Sequence, residues 1–507
     1  MPNPLYDTLF APLTDRDSPF LLLADGAQIT GAEFARMVAQ FGNALRALGL
    51  MPGDRLAAQI EKSPQALALY GAAVAVGVVY LPLNPAYTAD EIGYFTQDSG
   101  ARVLLADPIR ADALAPVAKQ TGAQLLTLDA AGQGSFATLA ADQPTQLIPA
   151  SRSDDDLAAL LYTSGTTGRS KGAMLTQKNL LSNAQVLARE WQFNADDVLL
   201  HMLPIFHTHG LFVASNTVLL TGGAMLFLPS FSPAEALRLM PLATTMMGVP
   251  TFYTRLLDDA QLTRDAVAHM RLFVSGSAPL LAETHTAFET RTGHRVLERY
   301  GMTETNMNSS NPYAGARRAG TVGLPLAGVE IIITDPNSGE KLPQGTPGMI
   351  EVRGPNVFQG YWQMPDKTAA ELRDNGFFIT GDIGVIDDQG YLSIVGRQKD
   401  LVITGGLNVY PKEVEELLDA LPGVRETAVI GVPHPDFGEA VVAIVVPEPT
   451  QGPALDPDAM MAQIRDKIAR FKQPKAILLR EALPRNTMGK VQKAALRAEL
   501  GALFTPN

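Results

Sequence analysis

The sequence predicts an α/β protein: a large N-terminal domain of stacked α/β subdomains plus a β-rich subdomain, followed by a small α+β C-terminal domain. Three observations lead to this prediction. The 507 residues exceed what one core ordinarily organises, so two or more domains are expected. Helical and strand patterns alternate through about residue 315, which is typical of a mostly parallel sheet covered by helices. From residue 320 the pattern changes to short strands separated by turn residues, and a compact mixed block follows.

The first elements are identified from apolar spacing and from the Gly and Pro residues that interrupt it. Helices are predicted over residues 30–48, 63–77 and 88–98, and strands over residues 55–60, 78–83 and 102–106. Residues 107–155 carry a weaker pattern that ends in the polar run 151–156, which indicates a seam between subdomains.

Two uncharged apolar stretches, residues 66–83 and 198–231, require a comparison with membrane spans. Gly71, Gly77 and Pro82 interrupt the first, and the second contains Pro204, two histidines and several glycines. Its length suits two strands with a helix between them. We therefore expect both stretches to lie in the core, and we expect no membrane insertion.

The C-terminal half is predicted from turn residues and helix start signals. Residues 328–342 (GVEIIITDPNSGEKL) and 348–355 (GMIEVRGP) indicate a β-rich subdomain that continues to residue 395. Pro411 is suited to the first turn of a helix that runs to about residue 421. Strands near residues 427–432 and 441–446 and a helix near residues 457–471 complete the small domain.

Composition limits the possible functions. With 46% hydrophobic and 18% charged residues, the chain is typical of a globular α/β protein. It has no cysteine, so it forms no disulfide and is compatible with a reducing compartment. The net charge of −12 argues against broad binding of nucleic acid or anionic membranes, so an anionic ligand requires a locally basic site. The first ten residues lack the pattern of a secretory signal, and a cytoplasmic location is expected.

Residues 162–174, YTSGTTGRSKGAM, form the first candidate site. They follow an apolar run, 157–161, that reads as the end of a buried strand, and they are predicted to form neither helix nor regular strand. Exposed N–H groups, hydroxyls and the ammonium of Lys171 can bind phosphate oxygens. A mobile surface loop is the alternative that composition favours, but the ordered alternation of hydroxyls and glycines, closed by Arg169 and Lys171, favours a phosphate loop. It is not a Walker A loop, because Ser170 and Gly172 flank the lysine.

This stretch resembles the phosphate loop of the adenylate-forming enzymes, the family of acyl-CoA synthetases, luciferases and peptide-synthetase adenylation domains. Three further motifs match that family in order and spacing: YGMTE (300–304), TGD with GRQKD (380–382 and 396–400), and PRNTMGK (484–490). Each alone could be a turn, a surface ion pair or a solvated lysine. Together they span most of the chain, which makes the resemblance specific.

The resemblance implies a role for each motif. The Tyr300 ring stacks near adenine, Thr303 approaches the α-phosphate, and Glu304 holds Mg²⁺, a hard ion that needs few carboxylates when it shares phosphate oxygens. Asp382 accepts from the ribose hydroxyls, with Arg397 beside it. Lys490 stabilises the negative charge that develops on the pyrophosphate leaving group. The expected catalytic residues are Lys490, Thr303, Glu304 and His207. The expected ATP-binding residues are Thr163, Ser164, Gly165, Thr166, Thr167, Gly168, Lys171, Ser277, Ala278, Tyr300, Gly301, Thr303, Asp382, Arg397 and Lys490.

The same resemblance implies an AMP-forming acid–thiol ligase that uses ATP, Mg²⁺ and coenzyme A. A carboxylate attacks ATP to give an acyl-adenylate and pyrophosphate. A mobile C-terminal domain, residues 398–507, then rotates against residues 1–397 about a hinge near Lys399. The rotation withdraws Lys490 and presents Gly405 and Gly406 to the thiol.

In this family three segments line the acyl pocket, and here they carry the basic residues His207, His209, Arg255 and Arg299. These four residues and Gly276 are the expected substrate-carboxylate residues. Many relatives have Gly at the position of Arg299. Two guanidinium groups converging in a closed pocket would suit a second carboxylate. A monocarboxylate would leave a buried cation unpaired, at a cost of about 3–5 kcal/mol. Alternatively, Arg255 is a surface helix residue, and Arg299 pairs with Glu298 or Glu304.

The segments LPIFHTHGLFVASN, GVPTFYTRLL, RVLERYGMTETNMN and LVITGGLNVYPKEVE resemble the malonate-activating members of the family. Malonate is therefore the expected substrate, with methylmalonate as a second one. The alternatives are a CoA ligase for another short carboxylic acid and a non-catalytic nucleotide-binding relative. The oligomeric state stays open.

Overall fold

The computed structural model describes residues 2–163, 170–404, 407–448, 455–486 and 489–504. Its α-helices are α1 (Pro4–Leu9), α2 (Gly31–Ala47), α3 (Pro64–Val76), α4 (Ala89–Ser99), α5 (Ala111–Thr121), α6 (Ser135–Ala141), α7 (Gln177–Glu190), α8 (Asn216–Thr221), α9 (Pro233–Leu239), α10 (Pro250–Leu257), α11 (Ala282–Thr292), α12 (Pro365–Glu371), α13 (Pro411–Asp419), α14 (Pro457–Ile464) and α15 (Lys493–Leu500).

The strands are β1 (Pro19–Leu22), β2 (Gln28–Thr30), β3 (Arg55–Gln59), β4 (Val79–Pro82), β5 (Val103–Ala106), β6 (Gln124–Thr127), β7 (Leu157–Thr163), β8 (Lys171–Thr176), β9 (Val198–His201), β10 (Ala224–Phe227), β11 (Thr245–Gly248), β12 (Leu272–Ser275), β13 (Leu297–Met302), β14 (Asn306–Ser310), β15 (Leu324–Pro325), β16 (Glu330–Thr334), β17 (Gly348–Arg353), β18 (Phe378–Ile386), β19 (Leu392–Arg397), β20 (Val402–Thr404), β21 (Leu407–Val409), β22 (Val424–His434), β23 (Gly438–Pro447) and β24 (Ala476–Leu479).

The boundaries of α2 and α3 coincide with capping residues. Thr30 and Glu33 form a reciprocal capping box at the start of α2. The Ser63 side chain caps α3, and Gly77 ends that helix in the left-handed region, at φ +74°. The predicted helices and strands of residues 30–106 are thereby confirmed, within one or two residues at each end.

Two mostly parallel sheets form the large domain. One has the order β15-β14-β13-β12-β11-β9-β10-β1-β2, and the other has the order β6-β5-β3-β4-β7-β8. The largest buried apolar cluster contains residues of both sheets and of α2, α3 and α7, so these helices form the layer that the sheets share. Helix α3 is buried on every side, which explains its uncharged sequence.

Two smaller sheets follow. Strands β16-β17-β18-β19 form an antiparallel sheet, as the turn-rich sequence predicted. The C-terminal sheet has the order β21-β20-β23-β22, with β24 parallel to β23, and α13, α14 and α15 belong to the same part of the chain.

Four predictions of local structure were wrong or incomplete. Lys171 begins β8, which pairs with β7, so the ends of the glycine-rich run do form regular strand. Residues 107–155 contain α5, β6 and α6, α12 interrupts the β-rich section, and α14 ends at Ile464. None of the helices in the described part of the chain has the length and apolarity needed to cross a membrane.

The C-terminal part packs against the large domain through its Lys490 segment. A Cβ placed on Gly489 would lie 3.4 Å from the Thr251 side chain on α10, so the backbone of that glycine lies directly against this helix. On another face, Nζ of Lys412 donates to the carbonyl of Ile394 at 3.0 Å.

Candidate active site

The site lies at the carboxyl ends of neighbouring parallel strands. Gly276, Ser277 and Ala278 directly follow β12, and Tyr300, Gly301 and Thr303 lie at the end of β13, which pairs with β12. Strand ends of this kind are where open α/β sheets bind their ligands. The topology therefore brings the second predicted motif beside the pocket residues that precede it in sequence.

The two segments of the predicted ribose site, TGD and GRQKD, lie in contact. The Tyr300 hydroxyl donates to Oδ2 of Asp382 at 2.7 Å, and Nε of Arg397 lies 2.8 Å from Oδ1. Thr380 accepts from the backbone N–H of Asp382 at 3.1 Å. The β18–β19 register places Asp382 directly opposite Arg397, which explains why residues separated by 15 positions in sequence act as a pair.

Thr163, Lys171 and Glu304 also come together. The hydroxyl of Thr163 lies 3.4 Å from Oε1 of Glu304, and the Tyr361 hydroxyl lies 3.1 Å from the same oxygen. Burial raises the pKa of the Glu304 carboxyl, against the opposing effect of hydrogen bonding and of the Lys171 charge. A buried carboxylate beside a hydroxyl is a hard-oxygen site of the type that suits Mg²⁺.

Lys171 itself is held by two residues that sequence reasoning missed. Its Nζ lies 3.3 Å from Oε2 of Glu371 and 4.1 Å from the centroid of the Tyr361 ring. Both partners follow Gly360 in the segment GYWQMPDKTAAE, which lies outside all four motifs. The signal in the sequence is Gly360 followed by two aromatic residues. In the structure this glycine has φ +125°, a conformation that favours glycine.

Arg299 is a buried cation on the acyl side of the site. Arg299 is 4% exposed, and its Nε and Nη2 have no hydrogen-bond partner within the described residues. Burial lowers the pKa of the guanidinium to about 9, so it stays charged at neutral pH. Glu298 bonds instead to Nδ1 of His285 at 3.0 Å, so neither acidic neighbour considered above pairs with Arg299.

Gly276 and Ser277 shape the space around that guanidinium. A Cβ on Gly276 would lie 2.5 Å from Nε and Nη1 of Arg299, closer than atoms can approach. Ser277 adopts φ +73°, a conformation that non-glycine residues rarely take, and its hydroxyl lies 3.1 Å from Nδ1 of His209.

The two pocket histidines are neutral. Burial lowers the pKa of His207 to about 3, and the charges of Lys490 and Arg299 act in the same direction. Burial and Arg299 also hold the pKa of His209 well below its usual value. Both imidazoles therefore contribute hydrogen-bonding atoms rather than charge, and Nδ1 of His207 and Nε2 of His209 have no partner within the described ranges.

A buried network supports the π-helical turn, residues 209–215, that carries His209. Nε2 of His201 lies 2.9 Å from the carbonyl of Gly210, which can only accept, so Nε2 carries the proton. Nδ1 then accepts from Nζ of Lys62 at 2.9 Å. Sequence reasoning found neither Lys62 nor His201.

Lys490 follows Gly489, which lies against α10 of the large domain. Its side chain reaches water, yet protein surrounds it on most sides. Desolvation, together with the charges of Arg397 and Arg299, lowers the pKa of Lys490 to about 8, against the opposing effect of Asp382 and Glu304. Lys490 is therefore close enough to the ribose pair, to Glu304 and to Arg299 for their charges to act on its ammonium.

Arg255 does not join the pocket. Its side chain is exposed on α10, and it makes no hydrogen bond or ion pair with any described residue. The prediction that two guanidinium groups converge in a closed pocket is therefore wrong. Leu256 and Tyr253 are the residues of this helix that face the core, and Arg255 follows the opposite face.

Several predicted site residues lie outside the described ranges. These are Ser164, Gly165, Thr166, Thr167 and Gly168 of the phosphate loop and Gly405 and Gly406 of the expected thiol tunnel. Lys399, the expected hinge, is exposed within a 3₁₀ turn, residues 398–400, directly after β19.

Comparison with protein families gives two matches along the chain. Residues 13–362 match the model of the AMP-binding enzyme family, and residues 413–490 match the model of the AMP-binding enzyme C-terminal domain.

Individual relatives cover nearly the whole chain. The crystal structure of ATP-bound MatB from Rhodopseudomonas palustris is 54% identical, covers 100% of both chains and superposes with a TM-score of 0.97, whereas its apo structure gives 0.87. The mitochondrial malonate–CoA ligase of Bos taurus is 37% identical over 84% of this chain and 78% of that protein. A feruloyl-CoA synthase from Amycolatopsis is 36% identical over 94% of this chain and 95% of that protein.

Proposed function

We propose, since the chain belongs to the AMP-binding enzyme family, that it ligates malonate to coenzyme A in an ATP-dependent reaction. Malonate attacks the α-phosphate of ATP to form malonyl-adenylate and pyrophosphate. The thiol of CoA then displaces AMP to give malonyl-CoA. The predicted fold, a large α/β domain with a small α+β domain, is that of this family.

One observation carries the choice of malonate: the buried guanidinium of Arg299, whose Nε and Nη2 lack partners among the described side chains and backbone. A second carboxylate can accept from these donors while the first carboxylate reacts. A monocarboxylate leaves the charge unpaired, so the pocket selects against it. The neutral His207 and His209, with Ser277 and the space beside Gly276, complete the proposed carboxylate site. Methylmalonate is a second substrate, because one added methyl leaves both carboxylate contacts in place.

We assign each part of ATP to residues that lie close together in the structure. Asp382 and Arg397 bind the ribose, and Tyr300, with Gly301, Ser277 and Ala278, borders the base. Thr163, Lys171 and Thr303 contact the phosphates, together with residues 164–168.

Mg²⁺ would be held by Glu304 and would neutralise phosphate charge when bound. The buried carboxylate beside the Thr163 hydroxyl fits a hard cation.

The two half-reactions require different arrangements of two domains. We assign residues 1–397 to the large domain and 398–507 to the mobile one, with Lys399 as hinge. In the present arrangement Lys490 faces Arg299, Glu304 and Asp382, which suits adenylate formation. Its ammonium stabilises the charge on the leaving pyrophosphate. Rotation would then remove Lys490 and bring Gly405 and Gly406 to the thiol. Because ATP and CoA are intracellular substrates, we assign the enzyme to the cytoplasm.

The main alternative is a CoA ligase for a different acid, which the similarity to a feruloyl-CoA synthase keeps open. A non-catalytic nucleotide-binding relative is disfavoured, because Lys490, Glu304, Asp382 and Lys171 are all present.

Pyrophosphate release across a panel of acids tests the proposal. Malonate should give rapid release that is sustained only with CoA, whereas acetate, butyrate and ferulate should give little. An enzyme that is indifferent to malonate but active with ferulate or a fatty acid would refute the substrate. If ATP binds but no acid gives pyrophosphate release, the non-catalytic nucleotide-binding protein is favoured.

A further inference from the structure

We infer that Glu371, the last residue of α12, is a positioning residue for ATP: its carboxylate fixes the ammonium of Lys171 and, through Tyr361, the carboxylate of Glu304. The inference rests on the proposed roles of Lys171 at the phosphates and of Glu304 at Mg²⁺. Glu371 belongs to none of the sequence motifs discussed above.

The contacts around Lys171 define where its charge lies. Both oxygens of Glu371 are within reach of Nζ, at 3.3 and 3.4 Å, and the Tyr361 ring lies on another side, with its centroid 4.1 Å away. A lysine ammonium on a flexible stem has no preferred direction of its own, so these two neighbours determine its position. The side chains of Lys171 and Glu371 are only 13% and 22% exposed, which limits screening by water.

Tyr361 extends the arrangement to Glu304. Its hydroxyl lies 2.6 Å from Oε2 of Glu371 and 3.1 Å from Oε1 of Glu304. The phenol has a single O–H, which donates to the nearer oxygen, that of Glu371, while the oxygen of Glu304 lies at the longer distance. Glu371 therefore fixes the position of Tyr361, and the Tyr361 ring and hydroxyl lie against Lys171 and Glu304 respectively.

Glu371 has a further partner on its own helix. Nζ of Lys367, one turn earlier on α12, is 2.7 Å from Oε1. Lys367 therefore provides a matched control, because its removal deprives the same carboxylate of one cation without touching Lys171, Tyr361 or Glu304.

Glu371 could act in two opposite ways. A positioning carboxylate keeps Lys171 aimed at the phosphates, so its loss weakens ATP binding. A competing carboxylate would draw Lys171 away, and its loss would tighten ATP binding. The Lys171–Glu371 pair is present together with Lys490 near Glu304 and with the Tyr300–Asp382 bond, so it belongs to the arrangement that suits the proposed first step. We therefore assign the positioning role.

The experiment is a double-mutant cycle on malonate-dependent pyrophosphate release. Glu371→Gln should raise the KM for ATP about tenfold, the effect of losing one charge-assisted hydrogen bond. The KM for malonate should stay within about twofold, and Lys367→Gln should leave both constants within about the same range. Lys171→Gln should raise the KM for ATP, and the double variant should rise no further than Lys171→Gln alone.

Several outcomes overturn the inference. These are an unchanged or lowered KM for ATP in Glu371→Gln, additive effects in the double variant, or an equal response to Lys367→Gln. A thermal transition measured for each variant shows whether it is folded, and Glu371→Asp replaces Glu371→Gln in the cycle should the latter fail to fold. Lys171→Gln without effect on ATP refutes the proposed phosphate role as well. If Lys171→Gln raises the KM for ATP and Glu371→Gln does not, the positioning role alone is refuted.

Discussion

The guanidinium of Arg299 occupies the space that a side chain on Gly276 would fill, because a Cβ there would lie 2.5 Å from Nε and Nη1. The two residues lie at the ends of the adjacent strands β12 and β13. The pocket can therefore hold this charge only because position 276 has no side chain. A substitution at either position changes the space available to the guanidinium.

Replacing Arg299 by Gly should remove the charge that selects a dicarboxylate. We expect kcat/KM for malonate to fall about 100-fold or more, the loss of a buried charged contact, with the KM for ATP little changed. Activity with butyrate should rise relative to malonate. Arg255→Gly, which removes an exposed guanidinium of the same kind, is the control and should leave malonate kinetics within about twofold. Normal malonate kinetics in Arg299→Gly would remove this residue from the pocket.

Gly276→Ala should displace the guanidinium without removing it. A Cβ cannot coexist with the present position of Arg299, so malonate kcat/KM should fall about tenfold. In the Arg299→Gly background the same substitution should have almost no effect, because the clash is gone. Equal effects in both backgrounds would show that Gly276 acts independently of Arg299.

Lys490→Ala should separate the two half-reactions. Adenylate formation should fall by about two to three orders of magnitude or more, since a preorganised charge at the leaving group is lost. Thioester formation from supplied malonyl-adenylate and CoA should be largely retained, because Lys490 is proposed to act only in the first step. Equal losses in both assays would contradict the two-orientation scheme.

The rate of adenylate formation should decrease as pH rises through about 8. Desolvation, with Arg397 and Arg299, lowers the pKa of Lys490 to about that value, and the neutral amine above it cannot stabilise the leaving pyrophosphate. Lys490→Arg should move this decrease to higher pH, because a guanidinium stays protonated. Profiles of kcat/KM for ATP, measured by pyrophosphate release, test this. An identical decrease in Lys490→Arg would assign it to another group.

Asp419, buried at the end of α13, should make stability decrease with rising pH. Burial, followed by the charges of Glu415, Glu283 and Glu426, raises its pKa to about 8. Between about pH 4 and 8 the folded state therefore binds more protons than the unfolded state, so stability falls as pH rises, by at most about 1.4 kcal/mol per pH unit. Asp419→Asn should raise the Tm more at pH 8 than at pH 5. Asp388→Asn, at an exposed position, should raise it at neither pH, and a pH-independent gain in Asp419→Asn would contradict the titration.

The fold was largely predictable because its signals are local. Thr30, Ser63 and Gly77 mark helix ends through contacts within a few residues, and the structure has those ends where they were expected. The strand β8 was missed because its pairing with β7 depends on residues outside the glycine-rich run.

The residues of the site were predictable only where they belong to one of the recognised motifs. Tyr300, Asp382 and Arg397 come from different motifs and meet as the resemblance implied. The sequence favoured Arg299 over Arg255 as a pocket residue only through the resemblance, and no local pattern showed that one is buried and the other exposed. Arg255 is exposed because it lies on the outer face of α10. Arg299 is buried because Gly276, which faces it, leaves space for the guanidinium. Glu371 and Lys62 act through long-range contacts that no local pattern contains.

Arg397 ends the strand β19, and its guanidinium shares Asp382 two residues before the proposed pivot at Lys399. On the proposed scheme, the carboxylate that binds the ribose is paired with the residue that leads into the pivot. Loss of AMP would then change a contact at the linker itself, so nucleotide release and domain rotation would be coupled through this ion pair.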